Sequence, residues 1–323
     1  MLTLFANAKI NLYLEVVGNR TDGFHELVMV MQSVALADRI TLNCLSGPAI
    51  VLNCDHPQVP TDHTNLAYKA AALLQKRFPH RTNQCGGIEI TIEKNIPVGA
   101  GLAGGSSNAA ATLLGLNLLW KLGLTRIELQ ELGAELGSDV PFSMVGGCAI
   151  ATGRGEQISP IANTPKLYAV LAKYNSISVS TPWAYKAYRQ QYEHTYLSLK
   201  DIEDLEARKA HVHSGKLIRA LTAHEAATVG KEISNDLEKV VLPAHPKVME
   251  LKAVMNAAAN AHGGLGTMMS GSGPTVYTLS ETEAQGREIL QAVRSQISDP
   301  DLKLYIAPFT SKGVKVIDPI SEN

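Results

Sequence analysis

A chain of 323 residues with 45% apolar and 18% charged side chains has an ordinary globular composition, with room for two domains and a sizeable core. Its formal net charge of -1 gives no electrostatic case for nucleic acid or an acidic membrane surface as a partner. No apolar run reaches the roughly 20 residues needed to cross a bilayer.

The N-terminus, MLTLFANAKINLYL, carries its lysine inside the apolar stretch and lacks a small-residue cleavage site, which argues against a signal peptide. Cys44, Cys54, Cys85 and Cys148 show no C-x-x-C spacing and read as buried or half-buried free thiols in a reducing compartment. The expected location is the cytoplasm, or a plastid stroma if a transit peptide has been removed. Leu2 to Val17 reads as a strand in which Lys9 and Asn11, two apart, share one face, either a wet edge or a site. Asn19 to Leu27 contains Asp22-Gly23, a tight-turn signal, so a β-hairpin is expected. Phe24 followed by His25 at its mouth is either a solvent-side pair or a place to stack a base and bond its edge. Asp38 to Cys54 reads as two strands around Ser-Gly-Pro, and Pro60 to Phe78 as a helix capped by Thr64, with Leu66, Ala70, Leu73 and Leu74 as its stripe.

Ile88, Ile90 and Ile92 alternate with polar residues, the pattern of a half-buried strand. Gly99, Gly101, Gly104 and Gly105 follow, then Ser106 and Ser107, and a largely apolar helix is expected from Asn108 to Trp120. A helix N-terminus offers unpaired N–H groups and partial positive charge, so this stretch reads as a phosphate cradle. It satisfies G-x-G-x-x-G but lacks the second strand and acidic residue of a dinucleotide fold. Gly105 stands where a Walker loop needs lysine. A glycine turn used only for packing remains the plain alternative. Thr125 and Glu128 form a capping box for a helix ending at Gly137. Pro141 is expected to hold Val140 extended, placing Asp139 on a short rigid turn as a catalytic carboxylate or as a mere cap.

Pro160 and Pro165 bracket a polar link, so two domains are expected, 1–163 and 164–323. Leu167 to Leu171 reads as a strand, and Lys186 to Ser214 as an exposed, charge-mixed helical stretch without assigned function. Within it His211 and His213 read as a solvated face or loop in preference to a metal site. Asn235-Asp236-Leu237-Glu238 precedes an Ala-rich helix, Lys247 to Ala261. Gly263 to Thr275 is a second glycine-rich turn, leading to a strand, Val276 to Leu279, then a helix and a strand, Leu302 to Ile306. The class is α+β, with a two-layer second domain.

The string P-x-x-x-G-L-A-G-G-S-S-N-A-A-A from Pro97 resembles the second motif of the GHMP kinases. Ser270-Gly271-Ser272-Gly273 resembles their third motif, which folds over the phosphates from the other domain; here it is counted with the substrate-binding residues. Within that superfamily AKINLYL, R-x-D-G-F-H-E-L and Thr181-Pro182 resemble the diphosphocytidyl-methylerythritol kinase branch. The resemblance implies a two-domain kinase with its site in the cleft, acting in isoprenoid precursor synthesis. It would move the ATP γ-phosphoryl group to the 2-hydroxyl of a cytidine diphosphate-linked methylerythritol. Asp139, in G-x-D-V-P, would take the hydroxyl proton, and Lys9 would keep Asp139 ionised. ATP would be held by Asn65, Leu66, Lys94, Pro97, Gly99, Gly101, Leu102, Gly104, Gly105, Ser106, Ser107 and Asn108, with Mg²⁺ through Ser107. Asn11, Phe24, His25, Thr181, Pro182 and Tyr185 would bind the substrate, cytosine lying between Phe24 and Tyr185. Phe24 stands where the branch usually has tyrosine, keeping the stacking face without the phenolic oxygen. Two alternatives stay open: another acceptor (homoserine, mevalonate or a sugar), or a non-catalytic sensor. A cytosine clamp has no purpose in the first, nor a base in the second.

Overall fold

Two long antiparallel strands, β1 (Leu2–Asn19) and β2 (His25–Cys44), form the spine of the molecule, joined by the Asp22-Gly23 turn that the dipeptide predicts. The structure, a computed structural model, describes residues 1–197, 202–213 and 215–317. There follow β3 (Ile50–Cys54), α1 (Leu66–Arg77), α2 (Pro79–Cys85), β4 (Ile88–Glu93), α3 (Gly104–Leu119), α4 (Arg126–Leu136), α5 (Val140–Val145), β5 (Cys148–Gly153) and β6 (Gln157–Ile161). The second half has β7 (Tyr168–Tyr174), α6 (Thr181–Tyr192), α7 (Ile202–His213), α8 (Lys216–Ala223), α9 (Ala226–Glu232) and β8 (Ser234–Asn235). It ends with α10 (Glu238–Ala244), α11 (Pro246–Ala261), β9 (Gly266–Met269), β10 (Val276–Ser280), α12 (Glu283–Gln296), β11 (Leu302–Pro308) and β12 (Val314–Ile317).

The larger sheet runs β12-β1-β2-β4-β3, with β5 on β2, β6 on β5 and β8 on β1. Residues 27–32 of β2 pair with β5 and residues 39–44 with β4, so one strand serves two neighbours in turn. The second sheet, β11-β7-β10-β9, is wholly antiparallel. Its inner face sets Ala169, Leu171, Tyr277 and Leu279 against Ala8, Ile10, Leu12 and Val30 of the spine. Its outer face sets Val170, Ala172 and Val276 against α11 and α12. Leu4, Ile40, Leu42 and Ile90 are covered by α1 and α3. The class is α+β, as read from the sequence. Two strands from beyond residue 163, β8 and β12, return to pair with β1 in the larger sheet.

Several local expectations change. Helix α3 begins at Gly104, not Asn108, because a glycine in the first turn costs a helix little while Ser107 and Asn108 are buried by it. Asn65, not Thr64, caps α1: Asn65 Oδ1 accepts from Ala67 N at 2.9 Å, while the Thr64 hydroxyl donates to Asp62 at 2.6 Å. The second glycine-rich stretch contains a strand, β9. Cys44 is exposed, whereas burial pushes the Cys148 thiol up to about 12. Of the polar stretch 186–214, residues 198–201 and 214 lie outside the described residues; His211 and His213 are exposed on α7.

Buried polar links join the two sheets, among them the Tyr277 hydroxyl donating to Asn11 O at 2.8 Å. Tyr277→Phe removes that bond, and the expected loss of stability is about 0.5–1.5 kcal/mol. Urea unfolding of the two proteins, with unchanged slope, measures it.

Candidate active site

The register of β1 against β2 shifts between Asn7 and Ala8, and again between Asn11 and Tyr13, bracketing the segment that carries Lys9 and Asn11. Such irregularities re-aim side chains. Here Ala8, Ile10 and Leu12 enter the core while Lys9 and Asn11 face the opposite side, 5% and 0% exposed, which excludes a wet edge. Lys9 Nζ donates to Asn11 Oδ1 at 2.6 Å and stands 3.7 Å from Asp139 Oδ2. Asn11 Nδ2 in turn donates to Met29 Sδ at 3.3 Å, so the lysine is held from behind.

Asp139 precedes α5, but its carboxylate makes no capping hydrogen bond, and the reading of it as a mere cap fails. Pro141 does not hold Val140 extended. It sits in the first turn of α5, where its missing N–H has no helical partner in any case. The Asp139 carbonyl accepts from Ser143 N and Oγ, which fixes the backbone and leaves the carboxylate to Lys9 and the cavity.

The glycine stretch turns on Gly99, Gly101 and Ala103, all with positive φ, before α3 starts. Ser107 N donates the first helical bond, to Ala103 O at 2.9 Å, so the N–H groups of Gly104, Gly105 and Ser106 lie ahead of the ladder. Lys9 N donates to Leu102 O at 3.1 Å, fastening this loop beside the lysine. Ser107 itself turns inward: its hydroxyl donates to Asn7 O at 2.6 Å, and it is Ser106 that lines the cavity. The expected metal donor therefore faces the core. Lys94 and Asn108 line the cavity but bond a residue that motif reading missed, the fully buried Asp38. Burial raises the Asp38 pKa above the ordinary carboxylate value, against the opposing pull of Lys94 and of the Ile96 and Asn95 N–H groups.

From the second sheet, Ser270 Oγ donates to Gly101 O at 3.1 Å, and Ser272 and Thr181 hydroxyls meet at 2.8 Å. Asn235 shapes this turn, its amide donating to Met269 O and Gly271 O, both at 2.8 Å. On the other wall His25 stacks on Tyr185, centroids 5.1 Å apart at 25°, with Tyr196 edge-on at 6.1 Å. Burial, and then the charge of Arg189, lowers the His25 pKa, and His25 Nε2 is buried without a hydrogen-bond partner. Phe24 is half exposed beneath the Arg154 guanidinium, 5.1 Å from its ring centre.

All these walls enclose one cavity of about 840 Å³. It is lined by Lys9, Asn11, Phe24, His25, Asn65, Leu66, Lys94, Pro97, Gly99, Gly101, Leu102, Gly104, Gly105, Ser106, Asn108 and Asp139 of the first half. Thr181, Pro182, Tyr185, Gly271 and Ser272 line it from the second, whereas Ser107, Ser270 and Gly273 stand behind. The sequence reading also missed Arg154, Lys186 and Arg189, which reach the same cavity. Lys186 and Arg189 follow Tyr185 on one face of α6, a helical spacing that could have flagged them. Among the described residues, no group of three or more His, Cys, Asp or Glu side chains could hold a metal ion.

A lysine–carboxylate pair beside a glycine-lined helix N-terminus, in a cleft closed by a second glycine turn, describes a small-molecule kinase. Residues 65–147 match the GHMP kinase N-terminal domain and residues 217–299 the GHMP kinase C-terminal domain. The chain belongs to the GHMP kinase family. It is 53% identical over 318 residues to the 4-diphosphocytidyl-2-C-methyl-D-erythritol kinase of Nostoc punctiforme, covering 98% of this chain and 99% of the relative. A crystal structure of 4-(cytidine 5'-diphospho)-2C-methyl-D-erythritol kinase, 32% identical, superposes with a TM-score of 0.72 over 95% of this chain and 98% of that one. Homoserine kinase from Cytophaga hutchinsonii shares the fold (TM-score 0.74, 98% and 97% covered) at 19% identity.

A Cβ built at Gly101 would lie 2.3 Å from Ser270 O, on a backbone with φ of +72°. Gly101→Ala therefore forces the two glycine turns apart. ATP affinity measured by calorimetry is expected to fall about tenfold or more.

Proposed function

We infer that this chain transfers the γ-phosphoryl group of ATP to the 2-hydroxyl of 4-diphosphocytidyl-2-C-methyl-D-erythritol, giving the 2-phosphate and ADP on the methylerythritol phosphate route to isoprenoid precursors. One observation carries the reading: the Lys9–Asp139 pair, the open N–H groups of α3 and the Phe24, His25 and Tyr185 rings share a single cavity. In-line phosphoryl transfer needs positioning and charge neutralisation more than covalent chemistry. Asp139 accepts the hydroxyl proton as the alcohol oxygen bonds to the γ-phosphorus and the bond to ADP breaks. Lys9, braced by Asn11, pairs with Asp139 at 3.7 Å and steadies charge on the attacking oxygen. Gly104, Gly105 and Ser106 offer N–H groups to the phosphates.

Among the described residues Asp139 is the only carboxylate lining the cavity, and Ser106 offers a hydroxyl. That donor set suits Mg²⁺, which takes one or two carboxylates beside phosphate and water oxygens, and when bound would neutralise phosphate charge. The neutral His25, with Nε2 unpartnered, reads the cytosine edge, and Phe24 and Tyr185 supply stacking faces. Residues 1–163 supply the phosphate loop and base, and residues 164–323 the second glycine turn and Tyr185. The four free thiols suit a reducing compartment such as the cytoplasm. Homoserine, mevalonate or a simple sugar has no group for the ring cluster to hold, and a sensor has no use for a paired base.

Asp139→Asn is expected to lower kcat by about 10²–10⁴-fold while nucleotide affinity stays within about twofold. Unchanged turnover in a coupled ADP-release assay would remove Asp139 from its role. Phe24→Ala should raise the KM of the cytidine substrate roughly 5- to 150-fold, the loss of one stacking face. CMP should raise the melting temperature of the wild-type chain; no response would favour another acceptor.

A further inference from the structure

Asp38 lies at the centre of the larger sheet, fully buried, and touches no part of the cavity itself. Its Oδ1 accepts from the backbone N–H groups of Asn95 and Ile96, both at 2.8 Å. Its Oδ2 accepts from Asn108 Nδ2 at 2.9 Å and from Lys94 Nζ. All four neighbours are donors, so the carboxylate form is the one that satisfies them. Lys94 also reaches Asn108 Oδ1 at 3.4 Å.

These bonds have a consistent placement. Lys94, Asn95 and Ile96 are the last residues before the glycine loop, and Asn108 follows it in α3. A single carboxylate thus clamps both ends of the segment 97–107. The loop between holds three left-handed residues, of which Ala103 at φ +57° has a side chain and is strained there. Strained conformations persist where the surroundings over-determine them, and the Asp38 clamp supplies that constraint. A Cβ at Gly104 would lie 3.0 Å from Lys94 Nζ, so the lysine packs directly beneath the first residue of the helix.

We propose that Asp38 is a positioning residue of the phosphate loop: by fixing Lys94, Asn95, Ile96 and Asn108 together it aims the N–H groups of residues 104–106, and so sets affinity for the triphosphate without touching it. The inference rests on reading that loop as the triphosphate site. It is specific to one co-substrate, because no ring of the cytosine wall bonds the Asp38 cluster.

The test uses the full-length chain and two variants. Asp38→Asn keeps the shape and removes the charge; Asp38→Glu keeps the charge and displaces it by one methylene. KM and kcat are measured separately for ATP and for the cytidine-linked alcohol, with amide hydrogen exchange followed in peptides spanning 97–107 and in the second sheet. Expected are an ATP KM raised about tenfold or more in each folded variant, an alcohol KM within about twofold, and faster exchange confined to the loop. Should Asp38→Asn not fold, Asp38→Glu carries the same comparison. Folded variants with wild-type ATP KM, or with both KM values and exchange throughout the molecule rising together, would overturn the proposal and leave the functional reading intact. Absence of ATP turnover by the wild-type chain would instead overturn the functional reading, and this inference with it.

Discussion

The whole arrangement depends on the close approach of two glycine-rich turns from different sheets. Ser270 Oγ donates to Gly101 O, and even a methyl group at Gly101 would lie 2.3 Å from Ser270 O. The same approach brings Gly271 over the lysine: a Cβ there would be 3.2 Å from Gly101 O, 3.3 Å from Asn11 Oδ1 and 3.4 Å from Lys9 Nζ. Side chains are absent because backbone must meet backbone. The consequence is electrostatic as well as steric. Lys9 is almost wholly removed from water, so its attraction for Asp139 is screened far less than at a surface.

Burial of that lysine creates an obligation that the neighbouring residues meet. Asn11 accepts from its ammonium, Met29 accepts from Asn11, and the Tyr277 hydroxyl donates to the Asn11 carbonyl from the second sheet. Asn235, reaching over from β8, accepts from Leu237 N and donates to both carbonyls of the turn that covers the lysine. Buried polar groups left unpaired cost on the order of 1–3 kcal/mol each, and a chain of this kind leaves none of these atoms free. The placing of the Lys9–Asp139 pair and the stability of the fold are therefore the same network seen from two sides.

How much of this was legible in the sequence follows from how local each interaction is. The glycine loop and its open N–H groups could be read because they reside in consecutive backbone groups, and Lys9 and Asn11 could be paired because a strand puts alternate residues on one face. Asp139 was legible as a fixed turn residue, although Pro141 achieves this by starting a helix and not by preventing one. What was hidden is what only register reveals. Asp38 sits in an ordinary strand pattern and becomes a hub only when β2 pairs with β4 and brings it under residues 94–96. Ser106 and Ser107 look equivalent as letters, but one helical step rotates one of them into the cavity and the other into the core. The rings were found by type, while their actual contact, His25 on Tyr185, depends on where α6 docks.

Arg154 shows how an apparent loss in the sequence is offset in three dimensions. Phe24 has no hydroxyl with which to anchor itself, and it stands at the tip of a turn, half exposed. The Arg154 guanidinium, itself tied to the Ala134 carbonyl at 2.6 Å, lies over the ring at 5.1 Å. A cation over an aromatic face is attracted by about 0.5–1 kcal/mol at such a site, enough to bias one ring orientation. Asp22 fixes the backbone at the same point by accepting from Phe24 N at 3.1 Å. With one face taken by the arginine, a flat ligand has only the other face on which to stack. The positive charge beside it also favours an anionic ligand over a neutral one, and the ring's anchor here is a neighbouring side chain, not an oxygen of its own.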